Sequence, residues 1–426
     1  MKEKIYLTFR ALRHKNYRLF FSGQCISLTG TWIQQLAMSW LIYSLTKSPF
    51  LMGAIMFAGS IPSLFLSPYA GVLVDRINKH SALIIIQTLF MIETFVMAIL
   101  TLAGVIQVWH IIILSILMGI TNAFDMPLRQ SFVVQLVDDS NDLGNAISLN
   151  SSSFNLARLI GPAIAGVLIA SFGEGICFLI NSLSYIAVIA ALFAMKMAPP
   201  VYKTNGKNIL QEFKEGLKYT FDSLPMRNIL VFLSITSLIG MSFPVLMPIF
   251  AKEILNGNAQ TLGFLMSASG VGALTGALCL AGKKSFVGLE KWIFAASLMF
   301  GFGLASLAFV NKIWISMILL FMTGLGMVVI IAACNTIIQN LVDDDKRGRV
   351  MSLYAMAFMG TAPIGSLCSG TIADRIGVPH TYLLIGLTMI VTAFIFGTKL
   401  KYFRVKEEAA IGEDESSFAT SEGLKG

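Results

Sequence analysis

The stretch Gly71-Val-Leu-Val-Asp75-Arg76-Ile-Asn78-Lys79-His80 is a short charged connection between two long apolar segments. It places an acid and several bases where the chain turns back between those segments. Asn78 tolerates the left-handed backbone conformation that a tight turn can use. Such a connection is suited to the inner ends of two membrane helices that must lock together and separate again.

The composition of the rest of the chain excludes a soluble globular protein. Of 426 residues, 56% are hydrophobic and 13% are charged, whereas soluble domains carry about 25% charged residues. Apolar runs of about 18 residues or more, each long enough to cross a bilayer as a helix, recur along the chain. The sequence therefore predicts an all-α polytopic membrane protein.

Charge-poor segments predict twelve transmembrane helices, which we number as spans 1 to 12. Their approximate ranges are 19–46, 49–74, 81–103, 107–130, 146–172, 175–195, 228–251, 259–282, 289–310, 313–337, 350–373 and 377–398. The predicted units are an N-terminal six-helix bundle (1–195), a linker with an amphipathic helix (196–227), a C-terminal six-helix bundle (228–400) and a disordered cytoplasmic tail (401–426).

The positions of the basic residues test this division of the chain. The N-terminus, the even-numbered loops and the C-terminus hold 26 of the 31 Lys and Arg residues, the odd-numbered loops hold four, and Arg158 lies within a span. Cytoplasmic loops of membrane proteins carry an excess of Lys and Arg. Both termini are therefore expected on the cytoplasmic side.

The two halves of the sequence repeat. A shift of 204 or 205 residues superposes pairs of glycines, namely Gly71 and Gly276, Gly119 and Gly324, Gly161 and Gly365, and Gly166 and Gly370. Matching positions in the same orientation predict two bundles related by an axis along the membrane normal.

The charged stretch is not repeated, since Leu280 and Ala281 stand at the places of Asp75 and Arg76. We therefore expect the latch of the inner gate in the N-terminal half, with Asp75 facing the start of span 11. The residues predicted to form this gate are Gly71, Asp75, Arg76, Lys79, Asp125, Arg129, Arg347 and Arg349. One arrangement is a relay from Asp75 through Arg76 to Asp125, and a static surface cluster is the alternative. An i,i+4 pair of Asp125 and Arg129 is also open, although Pro127 between them is expected to bend the helix and disturb it.

Three charged residues lie clearly inside spans, namely Glu93, Asp125 and Arg158. Each costs about 2.5–3.5 kcal/mol at the centre of a membrane helix, so such residues are candidates for function. Asp125, Glu93 or a carboxylate of the gate is the candidate proton carrier. Arg158 is expected to anchor an anionic group of a substrate or to respond to proton movement. The alternative is a structural role through an ion pair or carbonyl contact, and Glu93, at a similar depth, is one possible partner.

Two further segments predict helix contacts. Gly161, Pro162 and Gly166 in span 5 predict a bend and a close helix approach that helps to seal the outer side of the cavity. In the linker, apolar residues recur at helical spacing beside basic ones: Leu210, Phe213, Leu217 and Phe221 with Lys207, Lys214 and Lys218. This amphipathic helix is expected either to lie on the anionic inner leaflet or to pack on the protein.

The charged stretch resembles the Gly-x-x-x-Asp-Arg-x-Gly-basic-basic signature of the major facilitator superfamily, with Asn78 in place of the second glycine and His80 in place of the last base. Other segments are similar to a bacterial efflux branch that contains macrolide and enterobactin exporters: Leu12-Arg13-x-x-Asn16-Tyr17-Arg18-Leu19, Gly30-Thr31-Trp32, Asp125-Met-Pro127-x-Arg129-Gln130 and Ala373-Asp374-Arg375-Ile-Gly377. Gly161-Pro162 with Gly166 resembles the Gly-Pro motif of antiporters. Ser115 stands near the place where many proton antiporters carry an Arg in span 4.

The resemblance implies the major facilitator fold and export of amphiphilic small molecules, such as drugs or macrolides, across the bacterial inner membrane. It implies alternating access, with protons as the coupling ion, and a monomer in the lipid bilayer. An exporter of siderophores or other metabolites is the alternative. A membrane sensor or enzyme is a third interpretation, against which stands the absence of HExxH and GxSxG motifs. No cofactor, metal ion or nucleic acid partner is expected.

Overall fold

Twelve long helical spans occupy the predicted positions in the computed structural model, which describes residues 9–74, 76–137, 139–197, 209–283, 288–343 and 346–399. Spans 1 to 6 are Lys15–Thr46, Pro49–Val74, Lys79–Leu102, Val108–Leu136, Ser140–Phe172 and Glu174–Phe193. Spans 7 to 12 are Leu224–Ile254, Ala259–Ala281, Leu289–Leu307, Ile313–Leu341, Arg347–Ile376 and Val378–Gly397. The described residues contain helices and loops and no strand, so the predicted all-α fold is confirmed.

Ten of the helices in these described ranges are long and apolar enough to cross a membrane, and spans 1 and 9 fall outside that set. Span 1 is less apolar because it carries Gln24, Ser27 and Gln34, all of which are buried. Spans 7 and 11 are irregular, since each contains wider π-helical turns, at Thr236–Gly240 and Met356–Gly360 for example. Below, the inner side is the side of the basic loops, and the outer side is the opposite one.

Asn78 begins span 3 rather than forming a left-handed turn. Its backbone is extended, with a φ of −70°, and its side-chain oxygen accepts a hydrogen bond of 3.1 Å from the backbone N–H of Ser81. The left-handed conformation that Asn tolerates is therefore not used at this position. The physical reason is that an Asn side chain at this position satisfies one of the unpaired N–H groups of the first helical turn.

The internal repeat is visible in the structure. Gly173 and Gly377, 204 residues apart, make the turns before spans 6 and 12 with φ of 80° and 83°. Trp109 and Trp314, 205 residues apart, are both exposed near the outer ends of spans 4 and 10. Exposed Trp at such positions is typical of the interface between lipid and water.

Two equivalent glycine contacts join the bundles. A methyl group added to Gly166 in span 5 would lie 3.1 Å from the Cα of Gly263 in span 8, and one added to Gly370 in span 11 would lie 3.1 Å from the Cα of Gly53 in span 2. We call these two contacts the outer seam, since both lie in the outer halves of their spans. The Tyr43 hydroxyl adds a hydrogen bond of 3.2 Å to the Glu253 carboxylate near the outer surface.

The inner ends of the same helices are farther apart. A methyl group added to Gly71, Gly144 or Gly348, in spans 2, 5 and 11, would find no heavy atom of the described chain within 4 Å. In the inner half of span 5, Ser148 and Ser151 are exposed. The bundles are therefore joined on the outer side and open towards the inner side.

The linker helix, Ile209–Asp222, packs on the start of span 11. Arg349 forms an ion pair of 2.9 Å with Glu215, and the Tyr219 hydroxyl donates a hydrogen bond of 2.9 Å to Asp343. Of the two expectations for this helix, packing on the protein is the one observed. Lys207, the side chains of Leu210 and Phe213, and the tail 401–426 lie outside the residues whose structure is described.

Candidate functional site

Asp125 and Arg129 form an ion pair inside the N-terminal bundle. The Arg129 Nε lies 2.7 Å from Asp125 Oδ2, and Gln87 of span 3 donates a hydrogen bond of 2.9 Å to Asp125 Oδ1. Arg129 also donates to the Gln24 side-chain oxygen of span 1. The expectation that Pro127 disturbs this pair is wrong, because span 4 continues as one helix through Pro127 and keeps both side chains on one face.

The predicted gate residues do not form one cluster in this conformation. Both carboxylate oxygens of Asp125 are bound by Arg129 and Gln87, so the relay through Arg76 to Asp125 is not formed. Arg76 is exposed, and Arg349 contacts the linker helix. Asp75 lies outside the described residues. Gly71 and Lys79 end span 2 and begin span 3, and Arg347 is exposed at the start of span 11.

Glu93 occupies a different environment, one turn farther out. Its Oε1 accepts a hydrogen bond of 2.8 Å from the Thr121 hydroxyl, and its side chain is buried. Within the part of the chain that the structure describes, Glu93 Oε2 has no hydrogen-bond partner and no cation pairs with the carboxylate. Thr121 and Asp125 are four residues apart on span 4, which is about 6 Å along a helix. The two carboxyl groups thus lie at successive turns of the same helix pair.

A second network, which sequence reasoning missed, surrounds Gln34 of span 1. The Gln34 oxygen accepts a hydrogen bond of 3.1 Å from Thr94 and a second one from the Asn181 side chain. Asn181 accepts in turn from Ser184, at 3.0 Å. The signal available in the sequence was the presence of three buried amides, Gln24, Gln34 and Asn181, in otherwise apolar spans.

The polar side chains of this bundle form three hydrogen-bonded groups, centred on Asp125, Glu93 and Gln34, which together we call the polar column. Its members are Gln24, Gln34, Gln87, Glu93, Thr94, Thr121, Asp125, Arg129 and Asn181. Three of its buried atoms lack a partner among the described residues: Gln24 Nε2, Gln87 Oε1 and Glu93 Oε2. Buried polar atoms are seldom left unpaired in a folded protein. The column therefore has capacity for water molecules or for a proton.

Arg158 lies apart from this column, between the two bundles. Its guanidinium is 5.8 Å from the ring centre of Trp32 in span 1, and one nitrogen is 3.7 Å from the sulfur of Met327 in span 10. The alternative of a pair with Glu93 is not observed. Span 1 packs against spans 5 and 6 and bonds to Thr94 of span 3 through Gln34, and so it separates the two charges.

The Gly161-Pro162-Gly166 segment contacts both its own bundle and the other one. A methyl group added to Gly161 would lie 2.5 Å from the Cβ of Trp32, within the same bundle. The carbonyl oxygen of Pro162 and the backbone of Gly166 face Gly263 of the other bundle. The segment therefore positions Trp32 beside Arg158 and supplies half of the outer seam.

A charged cluster at the inner surface was not foreseen. The carboxylate of Asp142, at the start of span 5, lies 2.8 Å from Arg10, 2.8 Å from Arg13 and 3.0 Å from His14. The Ala11 backbone N–H donates to Asn145 at 3.0 Å. We call this cluster the N-terminal clasp, because it ties the segment before span 1 to the start of span 5.

Comparison with known proteins gives relatives along almost the whole chain. The family model described as transmembrane secretion effector matches residues 7–420. The chain is 28% identical to the staphyloferrin A transporter of Staphylococcus aureus, over 89% of this chain and 95% of that protein. It is 23% identical to the multidrug efflux pump Tap of Mycolicibacterium fortuitum, over 86% and 91% of the two chains. It is also 23% identical to macrolide efflux protein A of Streptococcus pyogenes, over 90% and 96%.

Solved structures share the fold at low sequence identity. A bacterial homolog of the human lysosomal transporter Spinster, in an inward-facing and unoccupied conformation, matches with a TM-score of 0.71 at 10% identity, over 91% of this chain and 98% of that one. The nucleoside transporter NupG matches with a TM-score of 0.68 at 14% identity, over 91% and 100%. The arrangement of helices is thus that of a multi-pass membrane transporter.

Proposed function

The chain belongs to the transmembrane secretion effector family of the major facilitator superfamily, and we propose that it exports amphiphilic small molecules, drug-like or macrolide-like in character, from the cytoplasm by alternating access. It acts in the bacterial plasma membrane as a monomer. Both termini are in the cytoplasm, as the distribution of basic residues indicates. The observation that carries this proposal is the outer seam, which joins the bundles on one side and leaves them open on the other.

The seam is suited to a rocking movement. Gly166 and Gly370 are 204 residues apart, and their partners Gly263 and Gly53 make the same close backbone contact, so the bundles touch at equivalent points on either side of the central axis. Because glycine has no Cβ, the helix backbones approach closely and meet without interlocking side chains. Opening the outer seam while the inner ends of spans 2, 5, 8 and 11 close gives the outward-facing state.

Proton coupling is assigned to Glu93. Asp125 is ion-paired with Arg129, whereas Glu93 has only a neutral hydroxyl partner and one oxygen without a partner in the described chain. Protonation of an ion-paired carboxylate breaks its ion pair, whereas protonation of a carboxylate with no cation beside it breaks none. Glu93 is therefore the group that takes up and releases a proton, and the polar groups around Asp125 lie on its inner side.

Export of a siderophore or another metabolite is the second candidate function. The observation that favours it is Arg158, a cation between the bundles with no acidic partner in the described residues. A cation in the cavity attracts anionic substrates and repels cationic ones.

Transport into everted membrane vesicles tests the proposal. Vesicles that contain the protein are given a pH gradient and a panel of macrolides, fluorescent dyes and iron-free siderophores, with and without a protonophore. We expect protonophore-sensitive accumulation of at least one class. Failure of every class would contradict export, and accumulation that ignores the protonophore would contradict proton coupling.

The residue assignment has its own test. Glu93→Gln keeps the hydrogen bond to Thr121 but cannot lose a proton, so it should abolish accumulation driven by a pH gradient while substrate still equilibrates down its own gradient. Asp222→Asn, at an exposed carboxylate of the linker helix, is the matched control and should behave as wild type. Gradient-driven accumulation at the wild-type rate by Glu93→Gln would remove Glu93 from the coupling mechanism.

A further inference from the structure

We propose that the guanidinium of Arg158 binds a carboxylate of the transported molecule, so that this chain selects amphiphilic carboxylates over cationic drugs. This inference rests on the proposed function as an exporter and narrows its substrate class. It can fail while export itself stands, because the two have separate measurements.

The first argument is the missing counter-charge. The described residues around Arg158 offer the Trp32 ring and the Met327 sulfur, and no carboxylate pairs with the guanidinium. A charge at mid-membrane depth is expensive, and such residues usually face a partner or a water-filled cavity. A cation that the protein leaves without an anion is matched most simply by an anion of the ligand.

The second argument is the position of Arg158 at the contact between spans 5 and 8. The carbonyl oxygen of Arg158 lies 3.2 Å from a methyl group added to Gly270 of span 8, and Ser267 donates a hydrogen bond of 2.9 Å to the carbonyl of Leu159. From this level the contact of span 5 with span 8 continues outward to Gly166. Arg158 therefore lies at a level where spans 5 and 8 meet, and both bundles are within reach of one ligand there.

Polar side chains lie among apolar ones on the inner side of Arg158. Ser151, two turns before Arg158 on the same face of span 5, is exposed. On span 10, Met327, Ile331 and Asn335 are spaced by four residues and so share a face, and Met327 is the member that contacts Arg158. An anion that enters from the cytoplasm thus meets hydroxyl and amide groups before it reaches the guanidinium.

The immediate surroundings of Arg158 suit an amphiphile. Trp32 and Phe154 contact each other edge to face, with ring centres 5.6 Å apart, and Met327 lies on the other side of the guanidinium. Aromatic rings and a flexible thioether accommodate varied apolar bodies. A guanidinium whose face rests on a ring keeps its edge N–H groups for two parallel hydrogen bonds to a carboxylate.

The test uses two dyes with the same xanthene ring system and opposite charge: carboxyfluorescein, which carries carboxylates, and tetramethylrhodamine methyl ester, a cation without a free carboxylate. Binding to the purified full-length protein in detergent is followed by dye anisotropy at fixed ionic strength. We expect carboxyfluorescein to bind the wild type more tightly than the cation. Arg158→Met should weaken carboxyfluorescein binding by about 10- to 100-fold, as expected for loss of a charge-assisted hydrogen bond, and Arg158→Lys should restore it in part.

The chain offers a matched control at Lys283, whose ammonium lies 5.6 Å from the ring centre of Trp292 at the inner end of span 8. Lys283→Met removes the same charge from a comparable ring contact that lies outside the cavity, and it should leave carboxyfluorescein binding unchanged. Thermal unfolding of each variant separates a lost binding group from a lost fold, and Arg158→Met should unfold no earlier than the wild type.

Three outcomes would overturn the inference. They are equal carboxyfluorescein affinity in the wild type and Arg158→Met, tighter binding of the cationic dye by the wild type, and no binding of carboxyfluorescein at millimolar concentration. The proposed function is judged separately in vesicles. If a cationic drug is exported and Arg158→Met leaves that export intact, export stands and the anion site is rejected. If no compound is exported although carboxyfluorescein binds through Arg158, the anion site stands and the exporter is rejected.

Discussion

The two bundles have the same arrangement of helices, but the interior of the N-terminal bundle is polar and that of the C-terminal bundle is apolar. Gly119 and Gly324 fix the register between spans 4 and 10, since each packs on the preceding even span of its own bundle. At the positions equivalent to Thr121, Asp125 and Arg129, the C-terminal bundle carries Gly326, Ile330 and Cys334. Ile330 and Cys334 are completely buried. The fold is therefore built equally well with an apolar core, and the polar column of the N-terminal bundle is not needed to form it.

The buried polar groups of the C-terminal bundle support this comparison. In its described residues they are hydroxyl groups, apart from Asn228 and Glu290 near the inner ends of spans 7 and 9. Several of these hydroxyls bond to their own helix, as Thr323 does to the carbonyl of Leu319 at 2.8 Å. Such bonds stay within one helix and do not change when helices move. We infer that the N-terminal bundle holds the proton-dependent switch and that the C-terminal bundle serves as its rigid counterpart.

The largest expected difference in stability between the two bundles is at Asp125. Asp125→Asn leaves the half-buried Arg129 without its counter-charge, which should lower the free energy of unfolding by up to about 3–5 kcal/mol, the cost of breaking a fully buried pair. Ile330→Val, at the equivalent place, should lower it by only about 0.5–1.5 kcal/mol. Thermal or denaturant unfolding of the purified proteins in one detergent measures both values.

A double variant tests whether the two charges of span 4 serve proton coupling rather than folding. Asp125→Ile with Arg129→Cys gives span 4 the residues of span 10, and it removes both charges together. We expect it to be more stable than Asp125→Asn and inactive in transport driven by a pH gradient. If the double variant were as unstable as Asp125→Asn, the column would be structural after all, and if it transported normally, the polar column would have no part in coupling.

The sequence predicted the spans and the repeat well because both depend on local properties. Hydropathy places each helix, and Gly166 and Gly370 recur at a constant shift whatever surrounds them. The partners of charged side chains were harder to predict, because they depend on which helices lie between them. Glu93 and Arg158 have similar depth, yet span 1 separates them. Pro127 leaves the pair of Asp125 and Arg129 intact because the bond that it removes is on the backbone and not between those side chains.

Substitutions in the outer seam should have a smaller effect, and the effect should be equal at its two contacts. Gly263→Leu and Gly53→Leu each place a side chain against the backbone of the other bundle. Overpacking of this kind costs about 1–3 kcal/mol, which corresponds to a shift of roughly 5- to 150-fold in the equilibrium between conformations. Both variants should favour the outward-facing state and slow transport. Labelling of single cysteines on the outer halves of spans 5 and 11 measures the shift, with Gly144→Ala as the control because its added methyl group meets open space. An effect of one variant without the other would show that the two contacts are not equivalent.

The smallest expected effects on transport concern the segments that precede each bundle. The N-terminal clasp surrounds an almost inaccessible Asp142, whose side chain is 2% exposed, whereas Glu215 of the linker helix is 49% exposed in its pair with Arg349. Asp142→Asn should therefore lower the free energy of unfolding by about 1.5–3 kcal/mol, as for a buried hydrogen bond to a charged group. Glu215→Gln should change it by about 0–1 kcal/mol, and less at high salt, because water and ions screen an exposed pair. Unfolding at low and high salt separates the two, and transport should persist in both variants. If Glu215→Gln proved the more damaging, the linker helix would take part in the movement of span 11, and the switch could not be confined to the N-terminal bundle.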